Sequence, residues 1–324
     1  AEGFLAIKYR LTGSDGKICG GPMYYIELGL KKKFLAKVFA SCGMVVALIG
    51  IGTMAQTNSI ATVCRLFGFP NIATTIITTI TVSIITFGGL NKIALVSEKV
   101  VPFMAAFYIS VAVFILILNF AEIPNIFKLI FCEAFSPKSA LLGQVVSIGV
   151  SRGIFSHESG LGSSAIAAAT AKTIFPVKQG LVSMSGAILS VIICTMTGFV
   201  LIIAQNPNGL KGLELTSFAF GSGLGIPSLG KYIVGVGIIL FAFTTIIGWN
   251  YYGEKCTQYI LGDKAISTFK ILFLFFLTIG PFYEINKIFI LADIVVGCMA
   301  IANLIGIIGL RKAVIDETNK FRNC

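Results

Sequence analysis

Long hydrophobic segments, separated by short polar ones, follow one another along almost the whole chain. A helix needs about 20 mostly apolar residues to cross a bilayer. By that criterion the pattern predicts eight spans, of which the fourth is interrupted by polar residues. Residues 1–7 resemble the end of a further span. The predicted spans are residues 36–64, 71–88, 99–120, 143–171, 179–204, 230–253, 268–283 and 288–310.

The length of these segments indicates the class of membrane protein. A transmembrane β-barrel would show segments of about ten residues with alternating hydrophobicity. The chain instead shows long continuous runs, and no loop is long enough to form a soluble domain. The sequence therefore predicts an all-α polytopic membrane protein with a single transmembrane domain.

The composition supports this class, because 56% of the residues are hydrophobic and only 12% are charged. A soluble domain has about 25% charged residues. The chain contains 8 cysteines and no Cys-x-x-Cys pair, and residues such as Cys42 and Cys64 stand alone within apolar runs. This spacing argues against a disulfide framework or a zinc site and favours buried free thiols. We predict no cofactor.

The basic residues predict the orientation of the spans. The formal net charge of +11 is expected from lysine and arginine kept on the cytoplasmic side, and we predict no nucleic-acid partner. When the segment after residue 7 is placed inside, the inside segments hold about three times as many basic residues as the outside segments. Lys17 is then inside, and Arg152 lies within a span. The outside segments hold Arg65, Lys128, Lys138, Lys211, Lys231 and Lys287.

The interrupted span contains the most polar stretch of the chain, "SRGIFSHESGLGSS" at residues 151–164. Charges at membrane depth cost roughly 2.5–3.5 kcal/mol each and persist where they face a cavity or a partner. Glycines weaken a helix, and an unwound backbone in the bilayer frees peptide groups that suit a carboxylate or a cation. The stretch therefore predicts a discontinuous helix at a substrate or ion site. The alternative is a re-entrant loop or a packing surface, with Glu158 paired to Arg152 for structure alone.

Three residues of this stretch, Arg152, His157 and Glu158, are expected to have gating or structural roles. Glu158 fits a conformational strut or gate better than a ligand. His157 is the only histidine, and a structural role fits it better than proton transfer. An intramembrane hydrolase using Ser156 and His157 is a remote alternative, because adjacent residues rarely reach nucleophile–base geometry. We therefore predict no enzymatic activity.

Other polar residues stand within apolar spans. Gln56 and Thr53 are three residues apart and would share one helix face, for amino-acid recognition or for an interhelical hydrogen bond. Thr245 and Trp249 are four apart, which suits a pocket wall, although an interfacial belt position is open for the tryptophan. Asp293 near the start of the last span is either a helix-cap carboxylate or a functional residue.

Six stretches of the chain, in order and at regular spacing, resemble those of one known family. They are "GGPMYYIELGL" (20–30), "AQTNSIA" (55–61), "VSEKVVPFMA" (96–105), "SRGIFSHESGLGSS" (151–164), "QGLVSM" (179–184) and "FAFTTIIGWNYYGEKC" (241–256). With these stretches the chain resembles the alanine or glycine:cation symporter family, the sodium:alanine symporters. The resemblance covers nearly the whole chain.

The resemblance implies a fold similar to the leucine transporter, with two inverted repeats of five helices and an incomplete first repeat. It implies sodium-coupled symport of alanine or glycine by alternating access, in a multi-pass protein of the cell inner membrane, with Na⁺ and the lipid bilayer as further partners. The implied parts are 1–120 (the remainder of the first repeat), 121–142 (an extracellular loop), 143–311 (the second repeat) and 312–324 (a cytoplasmic tail).

The resemblance also implies roles for individual residues. Gln56 would contact the amino acid, and Thr245 and Trp249 would line its pocket. Phe155 and Ser156 would belong to the break in the sixth core helix. Thr244 and Thr245 would lie at the second sodium site.

The chain departs from the family pattern at several positions. His157 stands where the family has Asn, Ser159 where it has Ala, and Ala302 where it has Pro. The first core helix, with its Gly-Thr-Gly-Asn break, is not part of the sequence, so we expect a chain truncated at its N-terminus. A transport-incompetent fragment of such a symporter is therefore the alternative function.

Overall fold

A computed structural model describes residues 1–13, 18–134, 142–205 and 209–322, which are almost entirely helical. One short hairpin pairs strands β1 (Leu11–Thr12) and β2 (Ile18–Cys19) in antiparallel register. The helices are α1 (Glu2–Lys8), α2 (Pro22–Leu30), α3 (Lys33–Ile49), α4 (Met54–Leu66), α5 (Asn71–Phe87), α6 (Gly89–Leu118), α7 (Ile123–Ala134), α8 (Leu142–His157), α9 (Ser163–Ala168), α10 (Pro176–Ile203), α11 (Gly212–Gly223), α12 (Pro227–Leu261), α13 (Ile266–Ile279), α14 (Ile285–Gly309) and α15 (Arg311–Arg322).

Within these ranges, six helical segments are long and apolar enough to cross a membrane, and α5 is a shorter apolar helix. They agree with the predicted spans, and α8 and α9 account for the interrupted fourth one. The six segments are Lys33–Leu66, Gly89–Leu118, Pro176–Ile203, Pro227–Leu261, Asp263–Phe282 and Lys287–Gly309. Their outer faces carry large apolar side chains, since Ile271 and Ile294 are each 63% exposed. The prediction of an all-α polytopic membrane protein is confirmed.

The first predicted span is not one continuous helix, which corrects the prediction. Residues 50–53 separate α3 from α4, and the Thr53 hydroxyl donates a hydrogen bond to the Ala47 carbonyl. Gly52 lies directly against Trp249, where a Cβ atom would come within 2.6 Å of the tryptophan Cβ. Thr53 therefore precedes α4 and does not share a helix face with Gln56. The glycine allows the chain to turn at a place where the α12 tryptophan leaves no room for a side chain.

Helix α12 forms the centre of the bundle and packs against α3, α4, α6 and α11. Its Ile246, Ile247 and Trp249 are fully buried. Close contact with its neighbours depends on small residues: a Cβ atom at Gly253 would lie 2.6 Å from the Ala47 Cβ and 2.3 Å from the Phe269 ring. This central helix places its buried face towards the break between α8 and α9.

The two longest segments that are predicted to lie outside, residues 121–142 and about 205–229, contain helices. Helix α11 packs against α12 with Ala219 and Phe220 buried, whereas in α7 Ile126 is buried, Ile123 is half-buried and the other residues are exposed. Several predicted positions lie outside the described residues. These are Lys17, Lys138, residues 135–141 of the predicted loop, residues 206–208 and the last two residues of the predicted tail.

We predict that Gly253→Val destabilises the bundle, because the added side chain must displace Ala47 or Phe269. Overpacking of this kind costs about 1–3 kcal/mol. Gly248→Val is the matched control, since a Cβ atom at Gly248 meets nothing within 4 Å on the same helix. Thermal unfolding in detergent should show a lower Tm for the Gly253 variant than for the control, and equal values would contradict the packing.

Candidate functional site

The polar stretch forms a break between two helices, as the sequence predicts. Helix α8 ends at His157, α9 begins at Ser163, and the five residues between them are not helical. Glu158, Gly160 and Gly162 have positive φ angles of 52°, 88° and 83°. Glycine adopts this left-handed backbone without steric cost. The two glycines therefore let the chain leave helical geometry and re-enter it within five residues.

Glu158 connects the break to the centre of the bundle. Its Oε1 accepts a hydrogen bond from the Trp249 indole N–H at 3.2 Å, and its Oε2 accepts one from the Ser163 hydroxyl. Arg152 does not pair with Glu158, which corrects the alternative considered above. Its Nη2 lies 3.2 Å from Asp293 Oδ2 on α14. These contacts are those of a strut, and the role of Glu158 in transport stays a prediction.

Asn303 holds the break from the opposite side. This fully buried residue of α14 donates from Nδ2 to the Gly160 carbonyl at 2.9 Å and to Glu2 Oε1 at 2.6 Å. Its Oδ1 accepts a hydrogen bond from the Tyr25 hydroxyl. Asn303, Glu2 and Tyr25 are not among the site residues that the sequence predicts. The only available signal was an asparagine inside an apolar span, which costs free energy unless it is hydrogen-bonded.

Arg10 holds the far end of α9. Its Nη1 donates to the carbonyls of Ala169 and Ala171, at 3.1 and 2.8 Å, and its Nη2 donates to the Thr173 carbonyl at 2.8 Å. The last carbonyl groups of a helix have no partner within it. One guanidinium thus binds the carbonyl of the C-cap residue Ala169 and two carbonyls of the segment that follows α9, and it attaches this end of the short helix to the segment that follows α1.

Two cavities meet at the break. The first, of about 490 Å³, is lined by residues 156–160 and by Glu2 and Ser164. The second, of about 610 Å³, is lined by polar groups that include Gln56, Tyr108 and Thr197. Ser156, Gly186 and Ser190 line both cavities. The break is therefore in contact with a space large enough for a small polar molecule.

Ser156 is one of two serines, with Ser190, that line both cavities. Its hydroxyl lies 3.2 Å from the Ser190 hydroxyl and 2.9 Å from the Cys194 thiol. Within the described ranges, the buried His157 Nδ1 has no hydrogen-bond partner. Ser156 and His157 thus do not form a nucleophile–base pair, and the hydrolase alternative has no geometric support.

The predicted binding residues fall into separate groups. Gln56 and Ser156 line the larger cavity together, and the Gln56 amide donates to the Ile51 carbonyl at 3.0 Å. Phe155 lines a third cavity of about 330 Å³. Thr244, Thr245 and Trp249 line none of these three cavities.

Thr244, Thr245 and Trp249 face the interior of the bundle. The Thr244 and Thr245 hydroxyls each donate to the Phe241 carbonyl of their own helix at 2.9 Å. Trp249 is 2% exposed, and its indole N–H joins it to the break by the hydrogen bond to Glu158. The structure thus brings Gln56 and Ser156 to one space, and the binding roles of all these residues stay predictions.

Asp293 is not a helix-cap residue, which corrects one of the two interpretations above. It lies eight residues after the first residue of α14, and its ion pair with Arg152 joins α14 to α8. The second interpretation, a functional residue, remains open at this position.

Comparison with known proteins gives one consistent result. A profile of the sodium:alanine symporter family matches residues 1–324. An uncharacterized transporter of Haemophilus influenzae is 47% identical over 99% of the chain and 73% of its own length. The sodium/alanine symporter AgcS of Methanococcus maripaludis is 41% identical with the same coverage. The amino-acid carrier protein AlsT of Bacillus subtilis is 33% identical over 94% of the chain and 66% of its own length.

We predict that Asn303→Leu destabilises the protein, because the substitution leaves Glu2, the Gly160 carbonyl and the Tyr25 hydroxyl without this partner. Each buried polar group left unpaired costs about 1–3 kcal/mol. Asn250→Leu is the matched control. Asn250 is equally buried, and among the described residues its amide has no hydrogen-bond partner.

The measurement is thermal unfolding of both variants in detergent. Asn303→Leu should lower the Tm by several degrees more than Asn250→Leu. A control variant that is as unstable as the Asn303 variant would show that volume, and not hydrogen bonding, decides the result.

Proposed function

The chain belongs to the sodium:alanine symporter family, and we propose that it carries a small neutral amino acid, alanine or glycine, into the cell by alternating access. The family consists of transporters, so the chain is an amino-acid:cation symporter with Na⁺ as the co-transported ion, and it crosses a membrane several times. Beyond membership of the family, the proposal states that the substrate is small, that transport is by alternating access and that the protein lies in the cell inner membrane. It also adds a leucine-transporter-like pair of repeats, with residues 1–120 in the first and 143–311 in the second.

One observation carries this proposal: the interrupted helix lies against two cavities that meet at Ser156. Unwound backbone at membrane depth is tolerated only where protein or a water-filled space satisfies it. Residues 158–160 line one of the cavities, so a bound zwitterion can reach peptide groups as well as side chains there. The choice of a small neutral amino acid rests on the family to which the chain belongs.

Each predicted residue has a distinct part in the proposed site. Gln56 and Ser156 would contact the amino acid directly, since an amide and a hydroxyl both donate and accept hydrogen bonds and both line the larger cavity. Trp249 would act through Glu158, whose carboxylate it orients. Thr244 and Thr245 would give their remaining lone pairs to sodium, because both hydroxyls already donate to a backbone carbonyl.

The break also supports alternating access. Helix α8 is connected to α14 by the Arg152–Asp293 pair, whereas the far end of α9 is connected by Arg10 to the segment that follows α1. The first half-helix and the far end of the second therefore have different attachments, and in this proposal they move separately. In this proposal Na⁺ stabilises the occupied state, which couples the sodium gradient to uptake.

The direct test is uptake of radiolabelled alanine by liposomes that contain the purified chain. We expect uptake with an inward Na⁺ gradient, no uptake with K⁺ in its place, and competition by glycine and alanine but not by leucine. A folded chain without Na⁺-dependent uptake would favour the transport-incompetent alternative. Peptide cleavage without uptake would favour the hydrolase.

We predict that Gln56→Leu reduces kcat/KM for alanine by about tenfold, because a lost hydrogen bond of about 1.4 kcal/mol corresponds to that factor. Thr62→Val is the control on the same helix, since Thr62 donates to the Asn58 carbonyl and does not line the cavity. Initial rates of Na⁺-driven uptake give the comparison. Equal losses in both variants would remove Gln56 from the proposed site.

A further inference from the structure

Arg152 and Asp293 lie between the outer surface and the break. Helices α8 and α14 begin at residues 142 and 285, on the side that the charge pattern predicts as outside. With a rise of 1.5 Å per residue, Arg152 lies about 15 Å and Asp293 about 12 Å along these helices. The break begins six residues after Arg152, about 9 Å further in. A substrate that approaches the break along α8 from outside therefore passes this pair.

The pair joins helix α8 to helix α14. Arg152 Nη2 lies 3.2 Å from Asp293 Oδ2, and the guanidinium lies 5.4 Å from the Phe155 ring centroid and 5.6 Å from that of Phe289. One aromatic ring belongs to α8 and the other to α14. The remaining ion pairs of the described residues do not include α8. They are Lys8–Glu317, Lys33–Glu27, Lys270–Glu254 and Lys287–Glu284.

The surroundings of the pair allow it to open. The Arg152 and Asp293 side chains are 51% and 37% exposed, so the pair is not enclosed by protein on all sides. A cavity of about 330 Å³, lined by Ser147, Phe155 and Asp293, lies beside the pair. Asp293 Oδ1 is buried, and no hydrogen-bond partner for it occurs in the described ranges. A permanent brace would be expected to satisfy both carboxylate oxygens.

We propose that Arg152 and Asp293, flanked by Phe155 and Phe289, form the outer gate of the transport path. The closed gate holds the first half of the broken helix against α14. Separation of the two charges, with withdrawal of the guanidinium from between the rings, opens the path to Ser156 and the break. The inference rests on the proposed function, and it adds Asp293 and Phe289 to the residues that control access.

The first test links the two gate positions, 152 and 293, through a bound metal ion. Arg152→Cys and Asp293→Cys are combined in a chain whose 8 native cysteines are replaced by serine or alanine. Two facing thiolates bind Cd²⁺. We expect Cd²⁺ to reduce Na⁺-driven alanine uptake at least tenfold in the double variant, with recovery on adding EDTA. Each single cysteine variant should keep its uptake in Cd²⁺. Undiminished uptake by the bridged double variant would show a static brace and overturn the gate.

The second test does not require transport. Spin labels at Val150→Cys on α8 and Ile290→Cys on α14, both at exposed positions, report the separation of the helices by pulsed EPR. We expect a short and a long distance, with the long one favoured by Asp293→Asn and the original ratio restored by Arg152→Asp with Asp293→Arg. Glu284→Gln, which removes the Lys287–Glu284 pair on α14, should leave the ratio unchanged.

The two tests separate the gate from the proposed function. If the spin labels give a single distance that is the same with and without Asp293→Asn, the gate is overturned, whether or not the chain transports alanine. Two distances that respond to Asp293→Asn in a chain without Na⁺-dependent uptake would support the gate and reject the proposed substrate.

Discussion

A helix that stops inside a bilayer exposes peptide groups that lipid cannot satisfy, and the rest of this structure follows from that constraint. Between His157 and Ser163 the freed backbone meets protein on several sides and a cavity on another. Glu158 ties the break to α12 through Trp249, and Asn303 ties it to α14 through the Gly160 carbonyl. The break is therefore held in place by neighbouring helices, and on its cavity side it is open to a ligand.

The same constraint explains how much the sequence could predict. The spans and the break follow from local information: runs of about 20 apolar residues, and glycines among charges inside one of them. The interruption at residues 50–53 could not be predicted, because its cause lies far away in the sequence. Gly52 turns the chain where Trp249, almost two hundred residues later, occupies the space.

Partners of the site could not be predicted for a related reason. Arg152 and Glu158 are six residues apart and looked like a pair, yet each has its partner on another helix. Asn303, Glu2 and Tyr25 meet only because α14, α1 and α2 converge beside the break. The hydrophobic pattern predicts which segments are helices, but it does not predict which helices pack against each other. Membership of a symporter family then gives these long-range contacts a functional context.

The central proposal is that the unwound peptide groups at residues 158–160, which line a cavity, bind the amino acid. Hydrogen–deuterium exchange of this segment, in nanodiscs, tests it most directly. The account predicts slower exchange there when Na⁺ and alanine are both present than with K⁺ and alanine, while the ends of α12 remain unchanged. Exchange at residues 158–160 that does not respond to either ligand would contradict the account.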